Sequence, residues 1–504
     1  LGVLNDDAIM STTTTEGPAK ADDDSELELK LEIDADRMDA LGGSDVVAGI
    51  MPTTIHQVAT YYDTPTQDLR IAGISLRVRA DGARHVQTIK AGDGGDAGFF
   101  ARSEWEIDVS GMALELDVDS PLRTLVPASV LQRLRPAFTV AVTRRQWLIE
   151  QDGATIELVA DTGSVSAGER SAPVSELELE LKAGSASAIF ALARRLGDAV
   201  PLRLGVLTKG ERGYRLIDRA ILGAVKAERL ELDEDVTVAD AFARIVGSCL
   251  RHFRLNEALL RAAPDVEALH QTRVALRRLR SAMSIFKPVV ADARFAHLAG
   301  ELKWLAGTLG LARDLDVLIE RLGDDAPEQV ADARADAYVV ARDALDSQRT
   351  RELMIDLIEW TVQGAWRRHP ADADQVLQPA VRFAGTVLGA LRRRIKRRGA
   401  DLMQLDDEAR HQVRITAKKL RYATGFFDSL YTGKRTRRRF KAFTRKLEAL
   451  QDHLGALNDL ATAPALLARF GLDNDAAAPA VPRDTILADA SEAHEDLIDS
   501  KRFW

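Results

Sequence analysis

The sequence predicts an α+β chain in which an antiparallel β domain precedes an all-α domain. Three observations carry this reading. Short segments alternate apolar and polar residues up to about residue 185. Beyond about residue 235 the hydrophobic period becomes helical. Charge divides at the same place, with a net of −11 over residues 1–230 and +2 over the rest. At 504 residues the chain also exceeds what one core usually supports, so at least two domains are expected.

The elements follow in order. Residues 1–25 are acidic and Thr-rich, are expected to be disordered, and are given no structural role. Met10 is a candidate translation start. No basic-then-apolar leader is evident, so the expected compartment is the cytoplasm. The β domain is placed at 26–225. Period-2 runs at 26–33, 75–79, 86–90, 103–109 and 176–182 are the clearest of at least seven expected strands. Short helices are expected near 35–48, 120–134 and 186–197. A short charged join, Glu228 to Asp235, leads to a helical domain at 236–500. The single cysteine excludes an intrachain disulfide and a Cys-rich zinc site. No apolar run approaches the roughly 20 residues of a membrane helix, so no membrane partner is expected.

The strands place charge on one face. Glu26, Glu28, Lys30 and Glu32 share a face of the first, and Glu176, Glu178, Glu180 and Lys182 of the last. Arg77 with Arg79, and Glu104 with Glu106, do the same between them. One reading is a half-buried sheet with a solvated charged face. The other is a closed barrel with a charged lumen. Such a lumen would take an anion and a divalent cation together, because Arg and Lys suit phosphate oxygens and Mg²⁺ or Mn²⁺ suits carboxylates.

The first half resembles the CYTH superfamily, the triphosphate tunnel metalloenzymes. Glu26-x-Glu28-x-Lys30 matches its ExExK signature. Tyr61-Tyr62-Asp63-Thr64, Leu69 to Arg79, Gln87 to Lys90, Arg102 to Glu106, Arg144 before Trp147, Asp161-Thr162-Gly163 and Lys209 to Tyr214 follow in the family's order. Val140 departs from the threonine that relatives often carry, with little effect expected. The resemblance implies an eight-stranded antiparallel tunnel barrel that hydrolyses or rearranges triphosphates. Carried over by position, Lys30, Arg77, Arg79, Lys90, Arg144 and Lys209 would bind the phosphate chain. Glu28, Lys30, Arg77, Arg79, Lys90 and Arg144 would form the catalytic set. Glu26, Glu28, Glu104, Glu106, Asp161, Glu176 and Glu178 would be the metal ligands or would orient water. Unscreened carboxylates and phosphates would repel by about 4 kcal/mol per pair at 4 Å and an effective dielectric near 20, which a divalent ion relieves.

The second half contains a repeat. His270-Gln-Thr-Arg-Val-Ala-Leu-Arg-Arg-Leu-Arg280 returns as His411-Gln-Val-Arg-Ile-Thr-Ala-Lys-Lys-Leu-Arg421. Leu309-Gly310 to Leu315 returns as Leu454-Gly455 to Leu460, so a helical unit is duplicated. Within each copy, steps of 3, 4 and 3 put His270, Arg273, Arg277 and Arg280, and likewise His411, Arg414, Lys418 and Arg421, on one helix face. Residues 392–446 carry a net of +14. Such density suits a polyanion, although a solvated face balanced by neighbouring acids would look the same. The half resembles the CHAD domain on these motifs together with Lys303, Arg313-Asp314-x-Asp316, Lys419, Tyr422 and Asn458-Asp459. That resemblance implies two similar helical bundles and binding of inorganic polyphosphate. His270, Arg273, Arg277, Arg280, Lys303, Arg313, His411, Arg414, Lys418, Lys419 and Arg421 would bind it.

The expected function is metal-dependent hydrolysis of a triphosphate, most simply inorganic tripolyphosphate. The helical domain would bind polyphosphate, concentrating substrate or placing the enzyme on polyphosphate granules. Two alternatives stay open: a tunnel enzyme for an organic triphosphate (thiamine or nucleoside triphosphatase, or adenylate cyclase), and a non-catalytic polyphosphate scaffold. Nucleic acid is disfavoured, because the stripe lacks interleaved aromatics and the first half is acidic.

Overall fold

The computed structural model describes residues 27–91, 99–100, 103–116, 120–218, 223–472 and 481–504. Residues 1–25, expected to be disordered, and Glu26 lie outside the described residues.

Ten strands form one antiparallel sheet. They are β1 (Leu27–Ile33), β2 (Thr53–Asp63), β3 (Ile74–Asp81), β4 (Arg84–Ala91), β5 (Phe99–Phe100), β6 (Ser103–Val109), β7 (Arg135–Gln151), β8 (Ala154–Ala167), β9 (Arg170–Ala183) and β10 (Leu202–Leu204). The order is β10-β1-β9-β8-β7-β2-β3-β4-β6, with β5 beside β1. The expectation of eight strands in a closed barrel is therefore corrected. No ladder joins β6 to β10 among the described residues. The outer edge of β1 is instead divided, with Glu28 and Leu29 facing β5 and Leu31 to Ile33 facing β10. Both added strands are two or three residues long, too short to show a period. The longest hairpin, β7–β8, turns through Asp152-Gly153, both at positive φ, the two-residue loop that matches strand twist.

Alternation decides what each sheet face meets. Leu29, Leu31, Ile33, Ile156, Leu158, Leu177 and Leu179 are buried in one core with helix α1 (Ala186–Ala199). The region 35–48 forms two short 3₁₀ turns, and 120–134 forms two single-turn helices. Helix α2 (Lys209–Ile217) starts at a capping box: Thr208 Oγ1 accepts from Glu211 N, and Glu211 accepts from Thr208 N.

The second half is helical throughout its described residues. Its longer helices are α3 (Val238–Ala262), α4 (Val266–Val290), α5 (Phe295–Thr308), α6 (Gly310–Leu322), α7 (Glu328–Asp346), α8 (Gln348–Gln363), α9 (Ala380–Arg398), α10 (Asp407–Phe426), α11 (Lys434–Arg469) and α12 (Arg483–Asp499). The two copies of the histidine motif are α4 and α10, which pack on each other. The two copies of the Leu-Gly motif differ. One opens α6 after a break at Leu309, and the other lies inside the unbroken α11.

Apolar packing runs continuously from the sheet into the helices, through Leu202, Leu204 and Val206 to Phe242, Ile245 and Leu250. Ion pairs surround this contact. Arg194 reaches Asp356 at 2.5 Å and Glu359 at 2.7 Å, and Arg203 reaches Asp346 at 2.9 Å. The join is pinned to the helices, since Asn256 exchanges two hydrogen bonds with the Val225 backbone. No described helix is long and apolar enough to cross a membrane.

Candidate functional site: a mixed-charge cavity and a basic seam

The charged sheet faces surround a cavity of about 1690 Å³. Glu28, Lys30, Arg77, Arg79, Lys90, Glu104, Glu106, Arg144, Glu178 and Lys209 all line it. The alternating charges therefore line a cavity, although the sheet that bears them is not closed among the described residues.

Two walls differ in character. On the β1–β9–β8 wall, register places Lys30 opposite Glu178 and Glu176 opposite Asp161. Lys30 Nζ lies 3.1 Å from Glu176 and 3.3 Å from Glu28, and also bonds Glu178. Lys209, brought in by α2, lies 2.7 Å from Asp161, 2.6 Å from Glu176 and 2.9 Å from Glu178. Arg144 on β7 donates to both oxygens of Asp161 and to Glu178 at 3.0 Å. Lys30, Lys209 and Arg144 thus meet Asp161, Glu176 and Glu178, with Glu28 a fourth carboxylate on Lys30. Burial disfavours charge on Glu178, but Lys209, Lys30 and Arg144 outweigh it and hold the group well below the usual carboxylate range. Burial likewise opposes the Lys30 and Lys209 ammoniums, and the same carboxylates outweigh it, raising both. Glu28 behaves oppositely: desolvation and the neighbouring Glu178 push it up.

On the β3–β4–β6 wall, Lys90 pairs with Glu104 at 2.6 Å, and Thr88 donates to Glu106 at 3.0 Å. Arg79 lies 3.2 Å from Asp81 and 3.7 Å from Glu106. Arg77 forms no salt bridge among the described residues, and the Nε atoms of Arg77 and Arg79 are buried without a hydrogen bond. Burial and the adjacent Arg77 lower Arg79. Burial opposes charge on Arg77, but Tyr61 and Glu104 outweigh it and raise Arg77, so this wall sets three cations beside Asp81, Glu104 and Glu106.

Of the seven expected metal ligands, Asp161, Glu176 and Glu178 come together, with ligand atoms within 4.8 Å of one another. Glu28 adjoins them through Lys30. Glu104 and Glu106 sit on the other wall, and Glu26 lies outside the described residues. The donor set is all carboxylate oxygen, which suits a hard divalent cation. Glu176 Oε2 is fully buried without a hydrogen bond, with the Arg212 cation 3.6 Å away. Alternation alone did not single out Arg212. It lies 2.7 Å from Glu32 and 3.6 Å from Glu176, and its signal was its i,i+3 spacing from Lys209.

The second site is the seam between α4 and α10. Here Arg277 of one copy meets Arg414 and Lys418 of the other, with Arg273 and Arg313 beside Arg277 on the first copy's side. Burial, then Arg414 and Arg277, bring Lys418 down to about 8. Asp314 and Asp459 also meet here. Burial raises Asp314, with Asp459 adding to it against Arg273. The Nε atoms of Arg277 and Arg414 are buried without a hydrogen bond. His270 is held down by burial and by Arg313, while His411 Nδ1 lies 2.6 Å from Asn458 Oδ1. Four expected residues lie at the edge of this group, Arg421 still within reach of Lys418. Arg280 and Lys303 are exposed, Arg421 lies 3.9 Å from Glu448, and Lys419 bonds Ser284 near Arg394 and Arg398.

An enclosed charged sheet followed by a duplicated helical half defines a two-domain protein class. The CYTH domain family matches residues 24–214 and the CHAD domain family matches 244–468, so the chain carries a CYTH domain followed by a CHAD domain. It is 30% identical over 165 residues to an inorganic triphosphatase of Haemophilus influenzae, a stretch that covers 32% of this chain and 46% of that protein. The match thus spans about half of that relative's length. An uncharacterized protein of Mycobacterium tuberculosis is 28% identical over 403 residues, covering 73% of this chain and 75% of that protein. The crystal structure of the CHAD domain from the plant Ricinus communis is 29% identical with a TM-score of 0.46, covering 56% of this chain and 98% of that one.

Proposed function

We propose that the chain hydrolyses a triphosphate, most simply inorganic tripolyphosphate, in the cavity, with Mg²⁺ or Mn²⁺, and that the α4–α10 seam binds polyphosphate. One observation carries the reading: Arg77, Arg79 and Lys90 line the same cavity as Glu28 and Glu178, with Asp161 and Glu176 buried directly behind Glu178. A phosphate chain offers Arg77 and Arg79 the oxygen acceptors that guanidinium groups suit. Arg77, Arg79 and Lys90 bind and orient the phosphate chain. Lys30, Arg144 and Lys209 hold Asp161, Glu176 and Glu178 in place and favour the ionised form of Asp161 and Glu178. A divalent ion on that cluster would neutralise charge developing on the bridging oxygen. Glu28 is the carboxylate with a raised proton affinity, which suits acceptance of a proton from an attacking water. The haemophilus relative supports the reaction class.

The test is phosphate release from tripolyphosphate by the full chain, with and without each metal. Glu28→Ala and Arg79→Ala are expected to lower turnover at least about 100-fold, the scale of losing a general base or a transition-state donor. Full turnover in both variants, or none in the native chain with any divalent metal, ends the hydrolase reading. In the latter case saturable polyphosphate binding would leave a scaffold.

A further inference from the structure

The cavity's cation-bearing helix, α2, is seated by the other domain. Helix α3 of the helical half presents Arg251 and Arg254, one turn apart, towards the sheet domain. Arg254 is 3% exposed. Its Nε donates to the Leu204 carbonyl at 2.8 Å, one terminal nitrogen bonds Glu257, and the other lies 3.0 Å from Glu32 Oε2. The second oxygen of Glu32 takes Arg212 of α2 at 2.7 Å. Arg212 stands 3.6 Å from Glu176, whose other oxygen holds Lys30 and Lys209. Arg251 acts on the same helix from its start. It lies 2.8 Å from Glu211, the carboxylate that closes the α2 capping box two residues after Lys209, and it lines the cavity.

We infer that Arg254 and Arg251 are positioning residues for the cavity: through Glu32 and Glu211 they fix α2, and so set where Arg212 and Lys209 stand against Glu176. The helical domain is then part of the site's supporting structure and not only a tether. A buried guanidinium is costly unless its partners are in place, so the chain of pairs is kept only while the two domains stay docked. The inference deepens the hydrolase reading and rests on it for its kinetic arm alone.

The test is a double-mutant cycle on the full chain with R254M, R212M and the double variant. In thermal unfolding the losses should be non-additive, the double falling short of the summed single shifts by roughly 2–4 °C. In turnover, R254M should lower kcat about 10- to 100-fold, the cost of a small misplacement far from the chemistry. The double variant should then be no slower than R212M, and polyphosphate binding by the helical domain should be unchanged in R254M. Additive melting shifts, or a kcat for R254M equal to native, overturn the inference. If R254M does not fold, E32Q replaces it in the same cycle. If the native chain does not hydrolyse tripolyphosphate, the hydrolase reading fails and the melting cycle alone decides this one.

Discussion

Lys418 shows how single residues set behaviour. Burial among Arg414 and Arg277 lowers it to about 8, below the ordinary lysine value of 10.5. Between those values the unfolded chain binds more protons than the folded one, so stability should rise with pH across that window. Anion binding runs the other way, because a bound polyphosphate favours the protonated amine. Raising the pH from 7 to 9.5 should weaken polyphosphate binding about tenfold, the worth of one pKa unit. In Lys418→Met the same titration, followed by calorimetry at constant ionic strength, should be flat over this range. An unchanged slope in the variant would remove Lys418 from the binding surface. The identity of the basic residues here was legible from their 3-4-3 spacing. Which of them would be desolvated was not, since Arg280 and Arg421 share the spacing and stay exposed.

At the scale of elements, α2 depends on a close approach to the sheet. A Cβ at Gly213 would stand 2.2 Å from Phe138 ring carbons, in a core that also holds Tyr61 and Tyr214. Gly213→Ala should therefore push α2 off the sheet, costing about 1–3 kcal/mol and moving Lys209 away from its carboxylates. Melting temperature and turnover should fall together. Gly197→Ala in α1, where a Cβ meets nothing within 4 Å, should stabilise by roughly 0.5–1 kcal/mol and leave turnover intact. If both substitutions behave alike, packing of α2 is not what places Lys209. The helix–strand alternation was readable because charged and apolar residues alternate strictly in β1 and β9. The strands β5 and β10 were not readable, because two or three residues carry no period. The Leu-Gly motif likewise opens a helix at Gly310 yet lies mid-helix at Gly455, so neighbours and not local residues decide the break.

At the scale of the whole molecule, the two domains share a core. Leu202, Leu204 and Val206 are buried in a cluster that continues into α3 and α8, and Glu32 has one partner from each domain. A chain ending at residue 225 would expose this surface, and is expected to melt lower than the full chain and to bind ANS. A fragment as stable as the native protein, with no dye binding, would show that docking contributes nothing. Separately, the acid limb should be steep: Glu178 and Asp161 lie below their usual values, so the stability they confer is present near neutrality and is lost as pH falls through those lowered values. Circular dichroism against pH would show it. By itself the sequence determined the α-after-β order, the charged strand faces and the duplicated basic helices, because periodicity and composition are local properties. Only the tertiary structure decided that the charges line one cavity, that Lys30, Arg144 and Lys209 meet one carboxylate cluster while Arg77 turns to Tyr61 and Glu104, and that α3 reaches into the same network. Those outcomes depend on which strands become neighbours and which side chains lose water, and both are set by contacts between residues hundreds of positions apart.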